Sequence, residues 1–408
     1  MISDNYDWIS QQSRPQQWVV QINCQSAETT RPYSRSLMTV WTFIALGLGL
    51  IALVGGAELL VKGAATIATR LGIAPVVVGL TVVAFGTSAP EFAVSVGASV
   101  SGNTDMSLGN VVGSNIFNIL FILGLSATVG GLVVTQRLIR FDIPIMILVS
   151  GVVFVLALNN SIGRIEGAVM FVALLVYTVW LIRNARKDTN QVMDEYSESI
   201  DELEDQIIDK PLWVLISFIA GGLGLLVLGS NLLVNSATDI AESLGVSDLV
   251  IGLTVVAAGT SLPELATSVL AAIRGQRDIA VGNVVGSNIF NLLGVLGLSG
   301  VLASDGIPVT DEGLRLDLPV MIVAALVLIP ICWNGFMIKR WEGFLLMAYY
   351  VAYVAYLIFQ ANDSDATDFM RTAALIVVPL TLVTFSVTGF QGWRRHRVAV
   401  AARRTTSM

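Results

Sequence analysis

Charge is scarce in this chain. Asp, Glu, Lys and Arg make up 13% of its 408 residues, about half of what a soluble globule carries. Histidine occurs once, at His396, and cysteine twice, at Cys24 and Cys332. Zinc, copper and haem sites built on His or Cys are therefore disfavoured. The two cysteines stand far apart in unlike surroundings, which speaks against a disulfide. No histidine or lysine lies near Ser88 or Ser261 to act as a base, so neither serine reads as a hydrolytic nucleophile and the chain does not read as an enzyme. Residues 1–36 are polar and lack the apolar core of a cleaved signal peptide. They read as a loosely ordered N-terminal extension.

What the chain has in abundance is apolar sequence, 54% of it, in recurring runs of about twenty residues, the length that crosses a bilayer as a helix. Eleven spans are expected, at about 38–60, 75–100, 107–130, 141–159, 165–183, 211–236, 247–273, 280–303, 317–334, 343–360 and 372–392. The acids of residues 185–210 crowd into one loop between the fifth and sixth spans. A solvated amphipathic helix explains that loop, which lacks the glycine and the spacing of an EF-hand. The formal net charge of −7 says little about partners, because the acids cluster in a few loops.

One short phrase occurs twice. GTSAPE at 86–91 returns as GTSLPE at 259–264, and GNVVGSNIFN at 109–118 returns at 282–291. Both copies keep one offset, 173 residues (264 − 91 and 291 − 118). IRFDIPIMI at 139–147 echoes LRLDLPVMI at 314–322, and GRIEG at 163–167 echoes KRWEG at 339–343. Residues 37–184 and 211–361 are thus two repeats of five spans each. Five is odd, so the second repeat enters from the opposite side, an inverted-topology pair. The expected fold is an all-α polytopic membrane protein. It has a ten-helix core of two inverted five-helix repeats, plus one extra C-terminal transmembrane helix and a basic tail within 371–408. Roughly three quarters of the Lys and Arg fall inside if the N-terminus is outside and the C-terminus cytoplasmic. A plasma or inner membrane is the expected location.

The duplicated phrase carries the chemistry. Ionisable groups at membrane depth are costly and point to function. Pro90 lacks an N–H and crowds the carbonyl of Gly86, so the second span should break there. Pro263 does the same near Gly259. Brought together across a pseudo-two-fold axis, Glu91 and Glu264 would repel unless a divalent cation lay between them. Ca²⁺ takes six to eight oxygens in flexible geometry, whereas Mg²⁺ demands a tight octahedron. The Thr87 and Thr260 hydroxyls and freed carbonyls near Ala84 and Ala257 can complete such a cage. Ser114 and Asn118 share one helical face, as do Ser287 and Asn291, whereas Asn115 and Asn288 are expected to point elsewhere. Asn110 and Asn283 add further amides. Gly109 and Gly113 also form a G-x-x-x-G pair, which lets helices approach closely.

These phrases resemble the alpha-repeats of the cation/calcium exchanger superfamily, which includes the sodium/calcium exchangers. The likeness covers about residues 38–360. It implies alternating access and Ca²⁺ export driven by entering Na⁺. It also implies that Glu91 and Glu264 are the central carboxylates, with Ser88 and Ser261 beside Thr87 and Thr260 as flanking ligands. Ser114, Asn118, Ser287 and Asn291 then line the outer Na⁺ positions, with backbone oxygens of Ala84 and Ala257 contributing. Many sodium/calcium exchangers end one phrase in Asp where this chain has Asn291, so the implied site holds two acids rather than three. The expected partners are Ca²⁺, Na⁺ and the lipid bilayer, with no cofactor, nucleic acid or obligate protein partner.

A proton- or K⁺-coupled Ca²⁺ antiporter is the nearest alternative. A cation channel also uses acidic rings, but channels assemble them from identical subunits, and this chain completes a pair by itself. Other polar residues need less. Glu58 and Lys62 read as an i,i+4 pair. Asp142 and Asp317, each two residues before a proline at a span start, read as N-terminal helix charge pairing or capping.

Overall fold

The computed structural model describes residues 40–102, 104–184, 210–243, 257–361, 364 and 366–406. The extension 1–36 and nearly all of the acidic loop 185–210 lie outside them. The described residues are helical almost throughout. The first repeat holds α1 (Val40–Leu71), α2 (Pro75–Thr87), α3 (Ala89–Val100), α4 (Met106–Gly130), α5 (Leu138–Ala157) and α6 (Arg164–Asn184). The second holds α7 (Leu212–Ser243), α8 (Ala257–Gly259), α9 (Leu262–Ile273), α10 (Arg277–Leu302), α11 (Gly313–Trp333) and α12 (Arg340–Ala361), and α13 (Ala366–Thr406) follows. Among the described residues nine of these helices are long and apolar enough to cross a membrane, and α2 and α3, bent by 48° at their junction, are so only when taken together. The seventh expected span is described only from residue 257 onward.

Several helices outrun their expected ends. The first span was expected over 38–60, yet α1 runs to Leu71. Its 32 residues extend about 48 Å, well beyond the hydrocarbon thickness. The charges at Glu58 and Lys62 look like an end in the sequence. In the structure they pair at 2.7 Å, as expected, and Glu58 also holds Arg274 at 2.6 Å, so the helix continues past them. It stops at Gly72, whose φ of 59° closes a Schellman turn: the N–H of Gly72 reaches the Thr69 carbonyl, and that of Ile73 the Ala68 carbonyl. The sixth and eleventh expected spans are likewise longer, as α7 and α13.

Burial sorts the helices. The apolar window of α10 is wholly buried and that of α4 largely so, whereas that of α13 is almost bare. The two helices carrying GNVVGSNIFN therefore form the centre. Both widen into a π-helical turn at the end of the phrase, over Phe117–Ile122 and Asn291–Leu296; such turns are frequent at functional sites.

Contacts between the repeats are reciprocal. Strand β1 (Leu132–Val133) pairs antiparallel with β4 (Met337–Ile338), and β2 (Ser161–Ile162) pairs with β3 (Ile307–Pro308). Exchanging the repeats turns one pair into the other. The crossing of α1 over α7 behaves alike. A Cβ on Gly56 would lie 2.7 Å from the Gly222 carbonyl oxygen, and one on Gly229 would lie 2.7 Å from that of Gly49. Only glycine permits backbones this close.

Of the two roles expected of Asp142 and Asp317, capping is not seen, for neither makes a side-chain cap bond, although both stand at the N-cap position of a helix. Asp142 accepts the Tyr177 hydroxyl at 3.0 Å and Asp317 accepts that of Tyr353 at 2.7 Å. Each acid thus ties its helix sideways to the last span of its own repeat.

Candidate cation site

The site begins with two interrupted helices. At Ser88 the backbone leaves the helical path (φ −79°, ψ 9°), and at Ser261 it does so again (φ −90°, ψ 11°). Pro90 and Pro263 fall in the first turns of α3 and α9, where a missing N–H costs nothing. Glu91 and Glu264 fall in the same first turns, at the positive ends of their helix dipoles. The break therefore places each carboxylate where unpaired backbone N–H groups favour negative charge.

Both carboxylates are fully buried, and each is held by the other repeat. Ser261 Oγ donates to Glu91 Oε1 at 2.6 Å, and Ser88 Oγ donates to Glu264 Oε1 at 2.8 Å. Ser261 also lies 3.2 Å from Ser114 Oγ. The two serines thus cross-link the helix breaks, each tying its own break to the carboxylate of the other.

The threonines also reach amides of the other repeat. Thr87 Oγ1 donates to Asn283 Oδ1 at 3.2 Å, and Thr260 Oγ1 to Asn110 Oδ1 at 3.4 Å. Those amides in turn donate to Ser268 and Ser95, each at 2.9 Å. Nor is the Ala84 carbonyl freed as expected. It accepts the Ser88 N–H at 3.0 Å and the Thr87 hydroxyl at 3.4 Å, because the helix breaks just after it. Ala257 opens the short α8.

Asn118 and Asn291 are fully buried. Their Nδ2 groups donate across the repeats, to Asn288 Oδ1 at 3.0 Å and Asn115 Oδ1 at 3.1 Å. This corrects the expectation that Asn115 and Asn288 point away from the site's amides. Helical spacing separates residues on one straight helix, but α4 and α10 cross, and the π-helical turns re-aim the side chains that follow.

The buried atoms left without a partner are informative. Beside others elsewhere in the bundle, such as Ser126 Oγ and Ser299 Oγ, they include Glu91 Oε2, Glu264 Oε2, Asn118 Oδ1, Asn291 Oδ1 and Ser287 Oγ, five atoms of the expected site. All five are oxygens able to accept. Buried acceptors are costly unless satisfied, and a hard cation satisfies several at once. Among the described residues no cluster of three or more His, Cys, Asp or Glu could hold a metal, so a cation here must draw on hydroxyls and amides beside the acid pair.

Comparison with known proteins agrees. The family model for sodium/calcium exchanger proteins matches residues 41–183 and again 213–359. The chain is 35% identical over 355 residues to the sodium/calcium exchanger MaX1 of Methanosarcina acetivorans, covering 79% of this chain and all of that one. It is 34% identical over 310 residues to the inner membrane protein YrbG of Escherichia coli, covering 76% and 94%. Among solved structures it resembles the sodium-calcium exchanger NCX_Mj soaked with Na⁺ and Ca²⁺, with a TM-score of 0.66 and 30% identity over 78% of this chain and 98% of that one. Two matches of one family model, each over one repeat, leave no ambiguity of class: this chain is a multi-pass membrane antiporter of the sodium/calcium exchanger family.

Proposed function

We propose that the chain exports Ca²⁺ in exchange for Na⁺ by alternating access, with both cations using the site around Glu91 and Glu264. The observation that carries this reading is the set of five unpartnered buried oxygens, two of them on the cross-linked carboxylates themselves. Two acids match the charge of one Ca²⁺. Two or more Na⁺ can replace it at the same oxygens, so the ions exclude each other. An empty site leaves bare charges in an apolar seal, which is costly, so only loaded forms cross. Antiport follows from that penalty.

The ten-helix, inverted-repeat architecture belongs to the same proposal. The reciprocal strand pairs and the reciprocal serine–glutamate bonds support it. α1 and α7 cross on bare glycine backbone, a close contact that can hold the two as one unit while they slide past the remaining helices. The N-terminus outside and the C-terminus inside place most basic residues in the cytoplasm. Ser88, Ser261, Ser114, Ser287, Asn118 and Asn291 are the proposed ligands beside the acids. Thr87 and Thr260 act through Asn283 and Asn110. Any part played by Ala84 and Ala257 is through backbone oxygen.

The test is ⁴⁵Ca²⁺ flux into reconstituted vesicles with Na⁺, K⁺ and pH gradients imposed one at a time. A Na⁺ gradient alone should drive uptake. If only a pH jump or added K⁺ does so, the coupling is to protons or K⁺, an alternative that two acids without a third leave open. Flux that does not saturate would overturn antiport altogether.

A further inference from the structure

We infer that Asn115 and Asn288 are positioning residues of the cation site, setting which end of Asn291 and Asn118 faces the ion. The inference rests on the transport reading above. Both residues are buried where α4 meets α10. Asn115 Nδ2 donates to the Asn288 carbonyl at 3.3 Å, and Asn288 Nδ2 donates to the Asn115 carbonyl at 3.4 Å. Each Nδ2 also contacts a methionine sulfur, Met321 at 3.8 Å and Met146 at 3.6 Å. With both donors engaged on backbone, each Oδ1 is left as an acceptor, and it receives the amide of Asn291 or Asn118.

An amide has an oxygen at one end and N–H donors at the other. Turning Asn291 over would set its oxygen against Asn115 Oδ1, two acceptors with no proton between them. The lock therefore leaves Asn291 Oδ1 and Asn118 Oδ1 without a protein donor, as they are found. A cation needs those oxygens and is repelled by the N–H end. Asn115 and Asn288 reach the ion only through their neighbours, and they require a donor at 118 and 291, which asparagine supplies and an ionised aspartate does not.

Holding α4 to α10 is a rival role for the same bonds, and a mutant cycle separates the two. Ca²⁺ KM and kcat would be measured in vesicles for wild type, Asn115→Leu, Asn291→Leu and the double variant. Asn115→Leu should raise KM about tenfold. In the Asn291→Leu background it should add less than about twofold, because its target is already gone. The mirrored cycle of Asn288→Leu with Asn118→Leu should behave alike. An unchanged KM with less folded protein overturns the inference, as does a full multiplicative effect in the double variant. Failure of both Asn115→Leu and Asn288→Leu to fold also counts against it, since helix association then accounts for the pair. If wild type carries no Ca²⁺, the transport reading falls instead.

Discussion

The two repeats are nearly interchangeable at their shared centre and unlike at their rims. At the centre the cross-repeat bonds come in pairs, Ser261 to Glu91 with Ser88 to Glu264 and Asn118 to Asn288 with Asn291 to Asn115, and the departure is Ser261, which also meets Ser114 while Ser287 Oγ has no partner. At the rim the correspondence fails. Arg137 lies 3.6 Å from buried Asp142, but the position 175 residues on is Glu312, near Asp317. Glu58 joins Lys62 and Arg274, whereas the matching residues, at an offset of 173, are Asn231, Asn235 and Ser101. A cation between two equivalent helix breaks asks both repeats for the same groups. In the inverted arrangement proposed above, the rims would face opposite sides of the membrane and have no shared ligand to match.

The central equivalence is the easiest part to break. Glu91→Gln and Glu264→Gln each remove half of the site's formal charge while leaving an oxygen for the serine. Each should cut ⁴⁵Ca²⁺ flux by about a hundredfold or more, since affinity at oxygen sites follows ligand charge. The two losses should match, and normal flux on a Na⁺ gradient in either variant would remove that carboxylate from the site. The glycine crossing comes next. Gly56→Ala forces a Cβ onto the backbone of α7, whereas Gly55 has open space around it. Overpacking of this kind costs about 1–3 kcal/mol. Transport should fall in Gly56→Ala and stay near normal in Gly55→Ala, measured per folded protein.

Much of this was legible in the sequence. The duplicated phrase carried both acids and both prolines, and Pro together with a buried Glu dictates a broken helix. That the Ala84 carbonyl stays bonded was not legible, because it depends on where the break falls. Asn115 and Asn288 were misplaced because an ideal 3.6-residue period ignores the π-helical turns beside them. Capping, one of the two roles read at Asp142 and Asp317, is missing for another reason. Their tyrosine partners stand 35 and 36 residues away, and nothing local announces such a contact.

The rim should yield smaller effects of unequal size. Arg137 is buried against Asp142 and lies over the Trp180 ring. Removing one partner of a buried pair costs about 3–5 kcal/mol, so Arg137→Gln should clearly lower thermal stability in detergent. Glu312 is exposed and bonds Gln360 at 3.3 Å; Glu312→Gln should change stability by no more than about 0.5 kcal/mol. Equal shifts would mean that the two rims are energetically alike after all.

The smallest expected effect bears on direction. Arg274 ties the end of α9 to Glu58 in the middle of α1, and α7 has no charged counterpart of this tie. If α1 and α7 slide together, the tie favours the arrangement in which α1 sits as described. A partly open ion pair is worth about 0.2–1 kcal/mol, which is a bias of up to about fivefold between the two arrangements. Arg274→Gln should therefore change the ratio of apparent Ca²⁺ affinities on the two membrane faces by about two- to fivefold, with little effect on maximal rate. Glu58→Gln should shift it the same way, and the double variant no further than either single. Grafting the tie onto the other repeat, with Ser101→Arg and Asn231→Glu, should move the ratio in the opposite direction, because that repeat faces the other way. A ratio that ignores all four variants would reduce the ion pair to an anchor and leave the two sliding helices equivalent despite their different charges.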